Sequence, residues 1–288
     1  MDRMTHFATP QTQGDADVAY VVAPHGLSPM LLVCDHASNA VPAALSRLGL
    51  TAAQLDDHIA WDIGAAALTR ALAKRLNATA VLAGYSRLVI DCNRAPDALD
   101  LVAAVSDGIA VPANCELTLA ERTSRLDHYH APYHQQIEAL LSDAARPVPV
   151  YAIVSIHSFT PHMNGHSRPW QLGILFDEDD RLAQEIYAQC SSEDGFVVGL
   201  NQPYAPSDGV YYTLTRHAVS RNLAAVMLEV RNDLLRSPVA IEYQAERLAG
   251  WLAQALLALT DGPAERRNAG KISNRNGWPE EDPRIVTE

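Results

Sequence analysis

His36 and His157 each stand just past a β-branched apolar run, the first following Met30-Leu-Leu-Val-Cys34 and the second Tyr151-Ala-Ile-Val-Ser-Ile156. Runs of this length and composition read as buried strands of a parallel sheet, and open α/β sheets collect ligands at the carboxyl ends of such strands. The placement predicts that both imidazoles face one cleft. Two imidazoles from two strands, joined by a carboxylate, make the ligand set of a hydrolytic zinc site that keeps one position open for water. Loop hydrogen bonding is the competing reading for either histidine alone. Asp35, or a backbone carbonyl, is the group expected to fix the second ring nitrogen of His36.

Ser86-Arg-Leu-Val-Ile-Asp-Cys-Asn-Arg94 reads as a strand that sends Arg87, Val89 and Asp91 to one face and Leu88, Ile90 and Cys92 to the other, with Asn93 and Arg94 at its exit. A guanidinium fork beside an amide donor suits a carboxylate or a developing oxyanion, although a surface salt bridge is the plainer use of such an arginine. Glu229 follows Leu223-Ala-Ala-Val-Met-Leu228. Half-buried there, its carboxyl would be raised toward the range of a general base; an ion pair with Arg221 or Arg231 is the alternative. His130 and His134, four residues apart, share a helix face. With Tyr129, Pro132 and Tyr133 around them and no Glu between them, they read as substrate-binding histidines of the pocket wall or as supports behind it, and not as an HExxH metalloprotease helix. The chain has no GxSxG elbow, no GxxxxGK[ST] loop and no GxGxxG turn, which disfavours serine hydrolases of that fold, P-loop enzymes and ordinary dinucleotide binders.

The elements that must position these groups are strand-like runs at 30–34, 79–83, 87–92, 150–156, 171–176, 195–199 and 224–230, separated by helical patterns. Between residues 51 and 77, Leu55, Ile59, Ile63, Leu68, Leu72 and Leu76 keep helical spacing, with Asp62-Ile-Gly64 able to divide the segment in two. Further stripes run through Leu126, Tyr129, Tyr133, Ile137 and Leu140, through 180–190 and through 239–257. The alternation predicts an α/β fold. Residues 1–20 and 261–288 are expected to be peripheral, leaving one α/β domain over 21–260.

With 34 acidic residues against 22 Lys plus Arg, the formal charge of −12 and the lack of a basic run argue against nucleic acid. No apolar stretch approaches the roughly 20 residues of a bilayer span, and the N-terminal residues show no apolar signal segment, so a soluble cytoplasmic protein with no membrane partner is expected. Cys34, Cys92, Cys115 and Cys190 form no CxxC pair and read as reduced structural thiols. Cys34 as a nucleophile beside His36 is a further reading, disfavoured by its position inside a strand.

Taken in order, Cys34-Asp-His-Ala-Ser-Asn-Ala-Val-Pro42, Trp61-Asp-Ile-Gly64, Ser86 to Arg94, Ser155-Ile-His-Ser158 and Leu228-Glu-Val-Arg231 resemble the N-formylglutamate amidohydrolase family over about residues 25 to 255. That family is similar to zinc carboxypeptidases and aspartoacylases. The resemblance implies a mixed, mostly parallel central sheet flanked by helices on both faces, a phosphorylase/hydrolase-like three-layer sandwich. It implies one zinc ion per chain and hydrolysis of the amide of an N-formyl or other small N-acyl amino acid, such as N-formylglutamate. By it, His36 and His157 become zinc ligands, Asn93 and Arg94 the substrate-carboxylate clamp, Glu229 the general base and Arg87 a group polarising the scissile carbonyl. One ligand departs from the carboxypeptidase pattern, where a Glu stands three residues after the first His and this chain has Asn39. Asp62 aligns with a histidine of the deformylases and preserves coordination, which makes it the third ligand, with Asn39 and Asp91 as rivals. The alternative is a non-catalytic relative that binds a small carboxylate. The acyl group, the amino acid and the oligomeric state stay open.

Overall fold

The computed structural model describes residues 17–163, 165–191 and 193–261. The expected peripheral segments lie mostly outside these residues, although β1 begins at Ala19, where it pairs antiparallel with β3 and covers the edge of the sheet. The elements in chain order are β1 (Ala19–Val22), β2 (Met30–Cys34), α1 (Ala52–Leu55), α2 (Ala65–Leu76), β3 (Thr79–Ala83), β4 (Val105–Ser106), β5 (Ile109–Ala110), α3 (Pro112–Cys115), α4 (Leu119–Arg125), α5 (Ala131–Leu141), β6 (Ala152–Phe159), β7 (His162–Met163), β8 (His166–Ser167), β9 (Leu172–Leu175), α6 (Arg181–Cys190), β10 (Val198–Leu200), α7 (Tyr212–His217), β11 (Ala224–Arg231) and α8 (Pro238–Asp261).

Seven strands form one mixed sheet in the order β1-β3-β2-β6-β11-β9-β10, parallel from β3 through β11 and antiparallel at β1 and at the β11–β9 pair. Strands buried on both faces have no reason to alternate apolar with polar residues, which explains the continuous apolar runs in the sequence. Met30, Leu32, Val154, Ile156, Val226 and Leu228 pack on one face with Leu68, Leu72 and Ile186 and with Leu248 and Leu252 of α8. Leu31, Val33, Ile153, Ala225 and Met227 pack on the other with Tyr133 and Ile137 of α5 and Leu214 of α7. Helices therefore cover both faces.

The segment 86–92 is not a strand. After β3 the chain leaves the sheet, and Val89 N donates to Ser86 O (2.9 Å), Asp91 N to Leu101 O (2.8 Å) and Arg94 N to Asp91 O (3.2 Å). Leu88, Val89 and Ile90 are apolar because they fill a third cluster with Leu48, Ile59, Leu101 and Val111. This excursion, with the β4–β5 hairpin and α3, raises one wall over the sheet. The helical stripe after residue 51 also divides, with the break at Asp62-Ile-Gly64. Gly64 has a φ of 88°, and a Cβ there would lie 2.5 Å from the Leu235 Cβ, so the turn needs glycine both for backbone conformation and for space.

Candidate active site

His36 stands two residues beyond the end of β2, and His157 lies within β6, in the last turn of side chains before the strand ends. Asp62 reaches the same point from the turn into α2, where its N–H donates to the His36 carbonyl at 2.9 Å and stitches the two segments together. One ligand atom from each of His36, Asp62 and His157 lies within 4.8 Å of the other two, and all three residues are buried. The His36 and His157 rings meet edge to face at 4.9 Å.

The tautomers follow from the outer partners. His36 Nε2–H donates to Asp91 Oδ1 (2.7 Å), so its Nδ1 is left as a lone-pair donor; that atom is buried, has no hydrogen bond, and lies 3.7 Å from Asp62 Oδ2. His157 Nε2–H faces Asp35 Oδ2 (3.2 Å) and Ser155 Oγ (3.0 Å), and its Nδ1 faces Asp62 Oδ2 at 2.8 Å. Asp62 Oδ2 also accepts from Ser158 N–H at 3.2 Å, and its approach to the His157 Nδ1 lone pair still calls for a cation or a proton between the two acceptors. Asp35 thus serves His157, while Asp91 serves His36, an exchange of the partners expected from sequence adjacency. Thr213 Oγ1 donates to Asp35 Oδ1 (2.7 Å) and Asn93 N to Asp91 Oδ1 (2.8 Å). Burial opposes charge on both aspartates but is outweighed: His157 and His36 hold the Asp35 carboxyl well below the usual range, and His36, Arg87 and Arg94 do the same for Asp91. Burial, reinforced by the Arg87 charge, lowers the His36 imidazole and keeps it neutral. Two imidazoles with free nitrogens, a carboxylate between them and a carboxylate behind each imidazole fit a divalent cation of the zinc type, and the unpaired His36 Nδ1 is the atom that such an ion would satisfy.

Beside this cluster opens a cavity of about 310 Å³, lined by His36, Asp62, Arg87, Arg94, His157 and Glu229 among others. Glu229 is the β11 residue directly opposite His157 in the β6–β11 register, so both side chains leave the same face of the sheet. On its other side stands Gly173, where a Cβ would lie 2.1 Å from the Gln202 carbonyl; glycine there lets the chain at 202–204 pass next to Glu229. Glu229 is buried, and its Oε2 has no hydrogen-bond partner. Burial raises its carboxyl above the ordinary range, a shift moderated by the neighbouring His157 and His36 imidazoles and by the Arg87 and Arg168 guanidiniums. Arg87 donates through Nη2 to Asp62 Oδ1, and its buried Nε–H is unpaired.

The other expected residues fall in different places. Arg94 lines the cavity with Nη2 at 3.1 Å from Asp100 and Nε at 4.0 Å from Asp91, and its Nη1 donates to the Asp208 carbonyl. Asn93 also lines it, but the side chain ties down the 210–213 segment: Nδ2 donates to Val210 O, and Oδ1 accepts from Thr213 N at 3.1 Å. His130 and His134 do not line the cavity. His130 Nε2 donates to Arg94 O (3.0 Å) and His134 Nε2 to Cys92 O (2.9 Å), so both brace from behind the turn that carries Asn93 and Arg94. Asn39 faces away and donates to Asp56 Oδ1 at 3.0 Å. Cys34 is fully buried, and burial pushes its thiol up to about 12, which removes it as a nucleophile. Ser155, Thr213, Tyr204 and Arg168 had no role in the sequence reading, and Asp35, expected behind His36, stands behind His157 instead. No helix among the described residues is long and apolar enough to cross a membrane.

Residues 28–236 match the family model for N-formylglutamate amidohydrolase. A gene product of Agrobacterium tumefaciens of known crystal structure is 37% identical, with a TM-score of 0.81 over 86% of this chain and 97% of its own. The N-formylglutamate amidohydrolase of Ralstonia eutropha shares the fold at 18% identity, with a TM-score of 0.61 over 83% of this chain and 97% of its own. No curated protein sequence matches the chain. The match across most of the described fold, with the buried His-Asp-His cluster opening into a polar cavity, makes the chain a hydrolase of amide C–N bonds in small molecules that belongs to the N-formylglutamate amidohydrolase family.

Proposed function

We propose that the protein is a zinc-dependent amidohydrolase that releases a small acyl group, formyl first among them, from the nitrogen of an amino acid such as glutamate. The observation that carries the metal part is the buried His36 Nδ1, unpaired beside Asp62 and His157. His36, Asp62 and His157 would hold the ion. When bound, zinc supplies Lewis-acid polarisation of an acyl oxygen and acidifies a water to a pKa of about 7. Asp91 and Asp35 orient the two imidazoles toward the ion and keep each in the ligand tautomer. Glu229, raised by burial and with a free Oε2, takes a proton from the attacking water and delivers it to the leaving nitrogen. Arg87 offers its unpaired Nε–H to the negative charge that develops on the acyl oxygen. Arg94 anchors the α-carboxylate by exchanging the exposed Asp100 for it, on a backbone held by Asn93, His130 and His134. The free thiols of Cys34, Cys92 and Cys190 suit a cytoplasmic setting.

The test is a panel of N-formyl, N-acetyl and peptide substrates offered to zinc-loaded protein, with metal content measured in parallel. Turnover of N-formyl amino acids with about one zinc per chain, both lost in His157→Ala, is the expected outcome. Turnover of unrelated esters alone would overturn the substrate class, and full activity without bound metal would overturn the zinc role.

A further inference from the structure

Thr213, the second residue of α7, touches both halves of the site, although it lines neither the cavity nor the metal position. It is fully buried. Its Oγ1 lies 2.7 Å from Asp35 Oδ1 and 3.3 Å from Cys92 O, and its N–H donates to Asn93 Oδ1 at 3.1 Å. A hydroxyl carries a single proton, so only one of the two oxygens can receive it. Cys92 O already accepts from His134 Nε2 at 2.9 Å, whereas Asp35 Oδ1 is nearer and charged; the proton goes to the carboxylate.

Asp35 needs such a partner. Its carboxyl is buried, and the terminal torsion of an aspartate is soft, so nothing in the side chain itself decides which oxygen faces His157. With Oδ1 taken by Thr213, Oδ2 is left for His157 Nε2 and Ser155 Oγ, each at 3.2 Å. Threonine suits the task because its β-branch restricts χ1. The turn that carries it is also fixed, since Tyr211 and Leu214 on either side are buried in one cluster with Ile153 of β6 and Met227 of β11. The amide of the same residue serves the other half of the site. Asn93 accepts from Thr213 N–H and donates to Val210 O, so its side chain is held at both ends by the 210–213 segment, next to Arg94.

We propose that Thr213 is a positioning residue that sets the two halves of the site in register through two separable bonds. Its hydroxyl aims Asp35, and thereby His157, at the metal position. Its N–H fixes Asn93, and with it the turn that presents Arg94. The assignment of a function to each bond rests on the reading of the site as a zinc amidohydrolase.

The experiment separates the bonds. Thr213→Val and Thr213→Ala both remove the hydroxyl and keep the N–H, the first with the side-chain shape preserved, while Thr213→Ser keeps the hydroxyl. Zinc affinity is read by competition with a chromogenic chelator, and turnover of N-formylglutamate is split into kcat and KM. In Thr213→Val and Thr213→Ala, zinc affinity is expected to fall by about tenfold, at the low end for loss of a partner behind a metal ligand, with KM within about threefold of the wild type. Thr213→Ser restores the affinity. Asn93→Ala does the converse, raising KM by about tenfold with zinc affinity within about threefold of the wild type. A readout on the ligand itself is proton NMR of metal-free protein with nitrogen-labelled histidine. The Nε2–H of His157, assigned by its absence in His157→Ala, should be sharp in the wild type and in Thr213→Ser and broadened by exchange in Thr213→Val. Unchanged zinc affinity and an unchanged resonance in Thr213→Val overturn the proposal, as does a loss that Thr213→Ser fully shares, which marks Thr213 as packing alone. Equal loss of zinc affinity in Asn93→Ala and Thr213→Val overturns the division between the two bonds. If the wild type binds no zinc, the metal reading fails, and Thr213 is judged by the resonance: broadening in Thr213→Val with rescue in Thr213→Ser supports its hold on Asp35, and no change overturns it. If zinc binds but N-formylglutamate is not hydrolysed, the substrate reading fails, and the zinc affinities and the resonance decide on Thr213 by the same outcomes.

Discussion

Asp91 sets the tautomer and direction of a proposed metal ligand, His36, from behind. Its Oδ1 fixes the Nε2–H of His36, turns the Nδ1 lone pair inward, and also accepts from the Asn93 N–H that begins the Arg94 turn. Asp91→Asn keeps the shape but offers either an amide donor or a weaker acceptor to the ring. Zinc affinity is expected to fall by about 10- to 100-fold, readable by competition with a chromogenic chelator, with little change in folding. Glu229 makes a separable prediction. In Glu229→Gln, zinc content should stay near that of the wild type while kcat falls by about 10²- to 10⁴-fold, the range of a lost general base. Because burial raises the Glu229 carboxyl, its base form disappears as pH falls through a pKa above the roughly 4.3 of a free glutamate. The acid limb of kcat/KM in the wild type is therefore expected above that value, and the residual activity of Glu229→Gln should lack the limb.

At the scale of elements, the turn between the β2 exit and α2 fixes where Asp62, the proposed third ligand, stands. Gly64 adopts a left-handed φ against the Leu235 side chain, two residues after Asp62. Gly64→Ala adds a Cβ to that conformation and into that contact, an expected cost on the order of 1–3 kcal/mol in stability. Thermal melting should show the loss, and metal affinity should drop as Asp62 shifts; Leu235→Ala in the same chain should relieve the contact but not the φ strain. The strands that carry His36, His157 and Glu229 were legible as continuous apolar runs because both of their faces are buried. The Ser86–Arg94 segment was misleading for the same physical reason: Leu88, Val89 and Ile90 are buried, but in a cluster beneath a loop. Asp62 could be singled out only through family resemblance, since a lone aspartate in a turn has no periodicity to mark it. Tyr204 gave no signal because an irregular loop brings it to the cavity, where only tertiary structure sets it alongside Glu229.

For the whole molecule, a polar chain of histidines couples the core to the acid limit of stability. His134 Nε2 donates to Cys92 O, so its Nδ1 accepts from His217 Nε2 at 2.9 Å, and the buried His217 Nδ1 is left without a hydrogen, 3.7 Å from Glu138 Oε2. Burial lowers both imidazoles, with His217 brought down to about 4 against the opposing pull of Glu138. The unfolded chain takes up protons on these residues near pH 6.5, whereas the folded protein does not until much lower pH. The stabilisation from keeping them neutral is thus complete above about pH 6.5 and declines as pH falls toward 4. Each such histidine contributes a slope of up to about 1.4 kcal/mol per pH unit across that window. His217→Gln retains a donor for His134 Nδ1 and removes one titrating group. Denaturant unfolding at intervals from pH 7.5 to 4 should give a shallower decline for the variant than for the wild type. Parallel curves would show that His217 is already charged in the folded protein, paired with Glu138, and that the neutral chain behind the Cys92–Arg94 turn does not exist.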